Sequence, residues 1–331
     1  MRKNAFLFTL ALLLIFVVGT VHAQEVTLNL AAPDPQTSPI TMASEHLSDL
    51  VKEKTDGEVE IKVFADGVLF GGSPSNAVNQ LSDGSIDILT LSTSLYASFE
   101  PKYTAISVPY MFEDLDQLES YLAGEPGQEL STSLKKQLGI ETIGYWTRPP
   151  RHLTNSKRPV DEAADFEGLK LRVPNSPLWV EFFGALGANP TPMSFSEVYN
   201  ALQLNTIDGQ ENPLGVPVSA KFYEVQDYLT LTGHILDAWV VGFNEEKWNS
   251  LSDEHKAAIQ EAVEETRVWK REFDSSNREE YIQILKDNGM EVIELTDENL
   301  EEIREIARSV YPEFEKIVGE EFFQKTIDFV E

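Results

Sequence analysis

The 331-residue chain contains no cysteine. A disulfide framework, a thiolate metal site, a cysteine nucleophile and a lipidated N-terminal cysteine are therefore all excluded. Positive charge is scarce as well: 26 Lys and Arg stand against 55 Asp and Glu, for a formal charge of −29. Such a field repels phosphate backbones and contains no basic stripe, which excludes nucleic acid as a partner. The apolar run at residues 5–18 is short of the roughly 20 residues that a membrane span needs. No G-x-S-x-G elbow, Walker loop, G-x-G-x-x-G or H-E-x-x-H occurs. Beyond the first 23 residues, His46, His152, His234 and His255 show no ligand spacing, so neither a metal nor a cofactor is expected.

What is there begins with an address. Arg2 and Lys3 precede the apolar run, and Val21-His22-Ala23 supplies a small-residue cleavage pattern. Residues 1–23 read as an export signal cut after Ala23. An uncleaved anchor is the alternative, because bilayers tilt or thin around a slightly short helix. A freely diffusing exported chain is useful where something confines it, which points to a periplasm. The roughly 300 residues that remain exceed the size at which single cores divide, so two domains are expected. Without Arg2 and Lys3 the chain is more acidic still, and any anion site must be a local cluster of cations working against the global field.

Apolar periodicity alternates between two and 3.6 along the chain. Val26, Leu28 and Leu30 predict a strand, and Ser38-Pro39 opens a helix bearing Ile40, Ala43, Leu47, Leu50 and Val51. Val59, Ile61 and Val63 predict a second strand and residues 86–91 a third, with a helix around Ala77, Val78 and Leu81 between them. Further strands are expected at 141–146, 169–173, 228–232, 239–243 and 290–295, and a helix at 115–122. Ser194-Phe195-Ser196-Glu197 is a capping box. Ser252 starts a helix that runs past Ile282, and a last helical stretch begins near Asp297. The pattern is that of an α/β protein with no repeat, low-complexity tract or flexible linker.

A polar block interrupts this pattern. Arg148-Pro149-Pro150-Arg151-His152-Leu153-Thr154-Asn155 is followed by Gly168-Leu169-Lys170-Leu171-Arg172-Val173-Pro174-Asn175. Three arginines fall at or near strand ends, where ligands sit in open α/β sheets, and a guanidinium presents the parallel donors that a carboxylate needs. An arginine beside a proline turn also reads as a surface residue.

The arginine strand at residues 168–175 resembles that of the solute-binding proteins of tripartite ATP-independent periplasmic (TRAP) transporters, the DctP family. Residues 192–199 and Asp208-Gly209-Gln210-Glu211-Asn212-Pro213 resemble the family's most distinctive stretch. The resemblance implies a periplasmic-binding-protein fold of type II: two α/β lobes, hinge-crossing strands, a long helix spanning the lobes, and a cleft that shuts on ligand. Lobe I is expected to hold residues 24–148 plus 237–276, and lobe II residues 149–236 plus 277–331. It further implies a carboxylate clamp at Arg172, with Arg151 and Asn212 beside it, Phe195 packing on the ligand, and Glu211 and His234 bracing Arg151. Asn175, Ser92, Trp146 and Arg148 complete the expected ligand-binding set.

Two departures bear on the ligand. Ser92 stands where sialic-acid-binding members carry glutamate, and Arg148-Pro149-Pro150 replaces a stretch that usually contains glycine. Arg148 is either a partner for a second acidic group or a solvated loop residue. Asn175-Ser176-Pro177 resembles members that take sugar acids such as uronates and keto-sugar acids, with C4-dicarboxylates as the second reading. The expected protein is a monomer that is not an enzyme and that serves TRAP membrane subunits. A secreted carbohydrate-processing enzyme and a ligand-sensing partner of a membrane receptor are the readings from other classes.

Overall fold

The computed structural model describes residues 26–331; the leader and its cleavage after Ala23 lie outside the described residues. Val26–Ala31 (β1) buries Leu28 and Leu30 and pairs in parallel with Val59–Phe64 (β2). Between them Ser38 caps the helix Pro39–Lys54, its Oγ accepting from the Thr41 N–H at 3.3 Å. Pro39 occupies the first turn, where a missing N–H costs nothing. Ile88–Ser92 (β3) and Ile140–Thr147 (β4) follow in the same lobe. The chain then crosses to a second lobe that contributes His152–Asn155 (β5), Lys170–Val173 (β6), Asn189–Pro192 (β7), Gly209–Asn212 (β8) and Tyr228–Thr230 (β9). It returns as Ala238–Asn244 (β10), antiparallel to both β3 and β4, and later adds Glu291–Ile293 (β11) to the second sheet. The sheet orders are β2-β1-β3-β10-β4 and β11-β9-β5-β8-β6-β7. Pro190 and Pro192 lie on β7, an edge strand, where no central ladder is lost.

Residues 148–151 and 231–237 bridge the two sheets side by side. The N–H groups of Arg148 and Arg151 donate to the carbonyls of Asp237 and Ile235, each at 3.0 Å, and that of His234 donates to Arg151 at 3.3 Å. A third bridge is the 35-residue helix Asp253–Asp287, capped by Ser252. Its first half lies on the helix Pro39–Lys54, where Trp269 stacks on His46 at 4.5 Å. Farther along, its Ile282 and Leu285 pack with Leu229 and Met290 of the second lobe. At 1.5 Å per residue this rod is about 50 Å long, enough to brace both lobes.

The C-terminal region corrects one expected boundary. The helix Asp297–Ser309 stays with the second lobe, Asn299 donating to the Asp161 carbonyl at 2.6 Å. The last two helices, Tyr311–Val318 and Glu320–Val330, instead turn back to the first lobe. Tyr311 donates to the Pro109 carbonyl at 2.7 Å, and Tyr121 and Thr326 share a hydrogen bond of 2.9 Å. Residues 277–331 are thus not wholly part of lobe II. The apolar face of Phe314, Phe322 and Phe323 finds its complement in Tyr103 and Ile106 of lobe I, and burying it there removes it from water.

Gly209 holds the second sheet closed beneath the cleft: a Cβ there would lie 2.2 Å from the Thr154 carbonyl oxygen. Gly209→Ala should destabilise the protein by about 1–3 kcal/mol through overpacking. Urea unfolding with an unchanged midpoint would contradict this.

Candidate functional site: an arginine cluster between the lobes

The short polar strands of the second sheet set the site's floor. On β5 and β8 the buried side chains satisfy one another: Gln210 donates to Thr154 at 2.9 Å, Thr154 to Gln226 at 3.1 Å, and Asn212 to Gln210 at 2.7 Å. Antiparallel pairing sets Leu153 opposite Glu211, bringing the Arg151 that precedes β5 to the same end of the sheet. Arg151 Nε and Nη2 donate to the two Glu211 carboxylate oxygens at 2.5 and 2.7 Å, and Nη2 also donates to the Glu211 carbonyl at 2.9 Å. Behind this fork His234 Nε2 meets Glu211 at 3.0 Å and Nδ1 meets the Thr232 hydroxyl at 2.7 Å. Because a carboxylate only accepts, Nε2 carries the ring hydrogen.

Asp237, the residue just before β10, neutralises the other side. One of its carboxylate oxygens accepts from Arg148 at 3.1 Å, Ser92 at 3.2 Å and Arg151 at 3.3 Å. Arg148 also lies 4.2 Å over the Trp239 ring and donates to the Asn212 side-chain oxygen at 3.4 Å. Arg172 is different. Its Nε and Nη2 donate to the backbone carbonyl of Met193 at 3.0 and 2.8 Å, and no described carboxylate forms a salt bridge with it. The group is 4 % exposed and stands 6.0 Å from the Phe195 ring.

Burial dominates the titration of these groups. It pushes Arg172 down to about 10, with Glu211 pulling the other way, and lowers Arg148 and His234. For Arg151 the neighbouring Glu211 overcomes burial, and the net shift is upward. Glu211 is likewise buried, yet Arg151 holds it down at about 2. Asp34 moves the opposite way: burial raises it to about 6 despite the pull of Arg148, Arg151 and Arg172.

The lobes meet around this cluster. A Cβ on Gly72 of the first lobe would lie 2.5 Å from Ser196 Oγ of the second, and one on Gly215 of the second lobe would lie 2.8 Å from Pro39 of the first. Both approaches leave room only for glycine. The enclosed cavity is lined from lobe I by Asp34, Ser92 and Trp239, and from lobe II by Arg172, Asn175 and Phe195, with Arg148 and Arg151 at the crossing and Asn212 on the floor.

A family model described as bacterial extracellular solute-binding protein, family 7 (DctP), matches residues 30–317. The chain belongs to this family, the solute-binding proteins of TRAP transporters. It is 34% identical over 293 residues to the 2,3-diketo-L-gulonate-binding periplasmic protein YiaO of Escherichia coli, with 88% of each chain covered. It superposes with a TM-score of 0.88 and 30% identity on the sugar acid binding protein DctPAm of Advenella mimigardefordensis in complex with galactonate, covering 93% of this chain and 98% of that one. A TRAP periplasmic solute binding protein of Sulfurospirillum deleyianum with bound succinate gives a TM-score of 0.86 at 30% identity, covering 92% and 98%.

In this TRAP solute-binding protein one expected site residue is elsewhere. Trp146 is fully buried on β4, and its Nε1–H donates to the Val263 carbonyl of the long helix at 3.1 Å. It is core, and its cross-strand neighbour Trp239 presents the ring that lines the cleft. Sequence reasoning also passed over Asp237 and Asp34. Asp237 carries a readable signal, a lone acidic residue between apolar runs directly before a buried strand; Asp34 looks like one more loop carboxylate.

Glu211 is held below its ordinary value of 4.5, so its contribution to stability is complete above that pH and is lost as pH falls towards about 2. Asp34 has the reverse sign. Its fold favours the protonated form, so its ionisation opposes folding as pH rises from 3.8 through about 6. Asp34→Asn should therefore be more stable than the wild type at pH 7, by on the order of 2 kcal/mol. Denaturation as a function of pH should show the difference vanishing below about pH 4; a variant less stable at pH 7 would contradict it.

Proposed function

We propose that this protein is the periplasmic receptor of a TRAP transporter for a sugar acid such as a uronate or aldonate, exported by a leader cleaved after Ala23. Arg172 carries the reading. It is a buried cation facing an interlobe cavity, hydrogen-bonded to a backbone carbonyl and lacking a carboxylate partner among the described residues. A buried charge of this kind is costly until an anion completes it. A ligand carboxylate would meet Arg172, with Arg151 and the Asn212 amide beside it and Phe195 against the ligand's apolar face. Asn175 and Ser92 line the same cavity and would contact the remaining polar groups. Glu211 and His234 would act by fixing Arg151. Ligand contacts to both lobes favour the closed form that the membrane subunits of the transporter recognise.

The relatives named above bind a diketo-gulonate, a galactonate and a succinate. Arg148 weighs against a C4-dicarboxylate here, because Asp237 and the Trp239 face already occupy the cation that a second carboxylate would seek. Glu211, Asp237 and His234 beside the clamp are engaged in holding arginines, which favours binding without chemistry. We take the receptor to act as a monomer.

Arg172→Lys replaces a planar fork with a point charge. It should weaken binding of galactonate or galacturonate by about 30-fold to several-thousand-fold, corresponding to roughly 2–5 kcal/mol. Isothermal calorimetry that finds the same affinity in wild type and variant would refute the clamp.

A further inference from the structure

The interlobe space continues beyond Arg148. Arg148, Trp239 and Asp34 line the clamp cavity on one side and a second cavity on the other, so the stacked guanidinium and indole form a partition. The second cavity lies between Pro149 and Pro150 of the crossing strand and Ser275 and Tyr281 of the long helix. It measures about 230 Å³, against about 60 Å³ at the clamp.

These sizes decide what each can hold. The second cavity has several times the room of the clamp cavity and so is the one that can take the bulk of a longer chain. The lobes already touch at Gly72–Ser196 and at Pro39–Gly215, which prevents the clamp cavity from growing while the cleft is shut. A longer acid has one enclosed direction left, past Arg148.

The walls of the second cavity suit hydroxyl-bearing carbon better than another charge. Trp239, Tyr281 and the two prolines offer faces to C–H groups, while Asp34 accepts and Arg148 donates. His152 Nδ1 accepts from the Gly233 N–H at 3.1 Å, which puts the hydrogen of the neutral ring on Nε2 as a second donor. The other cations are taken: Lys270 by Asp274 and the Thr147 carbonyl, Arg271 by Asp116 and Glu119, and Arg278 by Glu279.

We propose that the distal, hydroxylated end of a six-carbon sugar acid occupies this second cavity, with Arg148 and Trp239 reading the middle of its carbon chain; this rests on the carboxylate-clamp reading. Acid length is then selected by the cavity beyond the partition, and carboxylate recognition by the clamp.

The test is calorimetry of the wild type, Ser275→Trp and Tyr281→Ala with galactonate as the long probe and glycerate as the short one. Ser275 is an exposed helix position, so its replacement fills the cavity without disturbing a core. Ser275→Trp should weaken galactonate by about tenfold or more and Tyr281→Ala by several-fold, with glycerate within about twofold in both. Should Tyr281→Ala fail to fold, Ser275→Trp alone decides. Wild-type affinity for galactonate in Ser275→Trp would overturn the second cavity. Wild-type protein that binds neither acid would overturn the clamp reading and this proposal with it.

Discussion

Three guanidinium groups are buried at the interlobe cleft, two of them where the chain crosses between its lobes, and two carboxylates are fixed against that pair. Glu211 forks Arg151, and Asp237 bridges Arg151 and Arg148. Buried cations this close repel unless compensated, and Glu211 and Asp237 supply that compensation from fixed positions. The residual charge falls on Arg172. Among the described residues the hydrogen-bonded partner of its guanidinium is a neutral carbonyl, so on the proposed reading the free energy of an anion in this cleft depends on completing that ion pair. In a chain of net charge −29 this is a local well in a repulsive field, which favours an anion that reaches the cleft and disfavours adsorption elsewhere.

The frame around the cluster makes that pair consequential. Two crossing segments hydrogen-bonded to each other, one continuous 35-residue helix and the link from Ser309 to Tyr311 connect lobes that also meet at glycine-permitted approaches. On the proposed reading, a ligand paired with Arg172 also touches both lobes, so completing the ion pair and holding the walls together are one event. Differential affinity for the closed form is what lets a ligand drive such a transition. The returning C-terminal helices add mass to the first lobe and tie it once more to the second through the link from Ser309 to Tyr311.

The parts of the fold built on apolar periodicity were legible from the sequence. β1, β2, β10 and the helix capped by Ser38 read directly, as did the Ser194–Glu197 capping box, which is present with its reciprocal bonds. Of the strands that carry the site, Lys170–Val173 read as a strand, whereas two others did not. His152–Asn155 and Gly209–Asn212 are fully buried central strands composed almost wholly of polar residues, so they give no period-two signal. Their stability comes from side-chain bonds between strands distant in sequence, such as Gln210 to Thr154, which no local window contains. Arg172 and Arg151 stood out as arginines near strand ends, and their expected roles came from family resemblance. Trp146 was misplaced because strand alternation alone does not say which face of a sheet meets the cleft and which residue along it reaches the opening. Asp237 was missed because its role depends on the pairing of two crossing segments 86 residues apart.

The central claim is that a ligand carboxylate replaces the Met193 carbonyl as the principal partner of Arg172, or joins it there. A crystal structure of the protein grown with galactonate addresses this most directly. The account predicts carboxylate oxygens about 2.7–2.9 Å from the Arg172 guanidinium nitrogens. A well-ordered ligand whose carboxylate lies away from Arg172, with that side chain still bonded to Met193 alone, would contradict it.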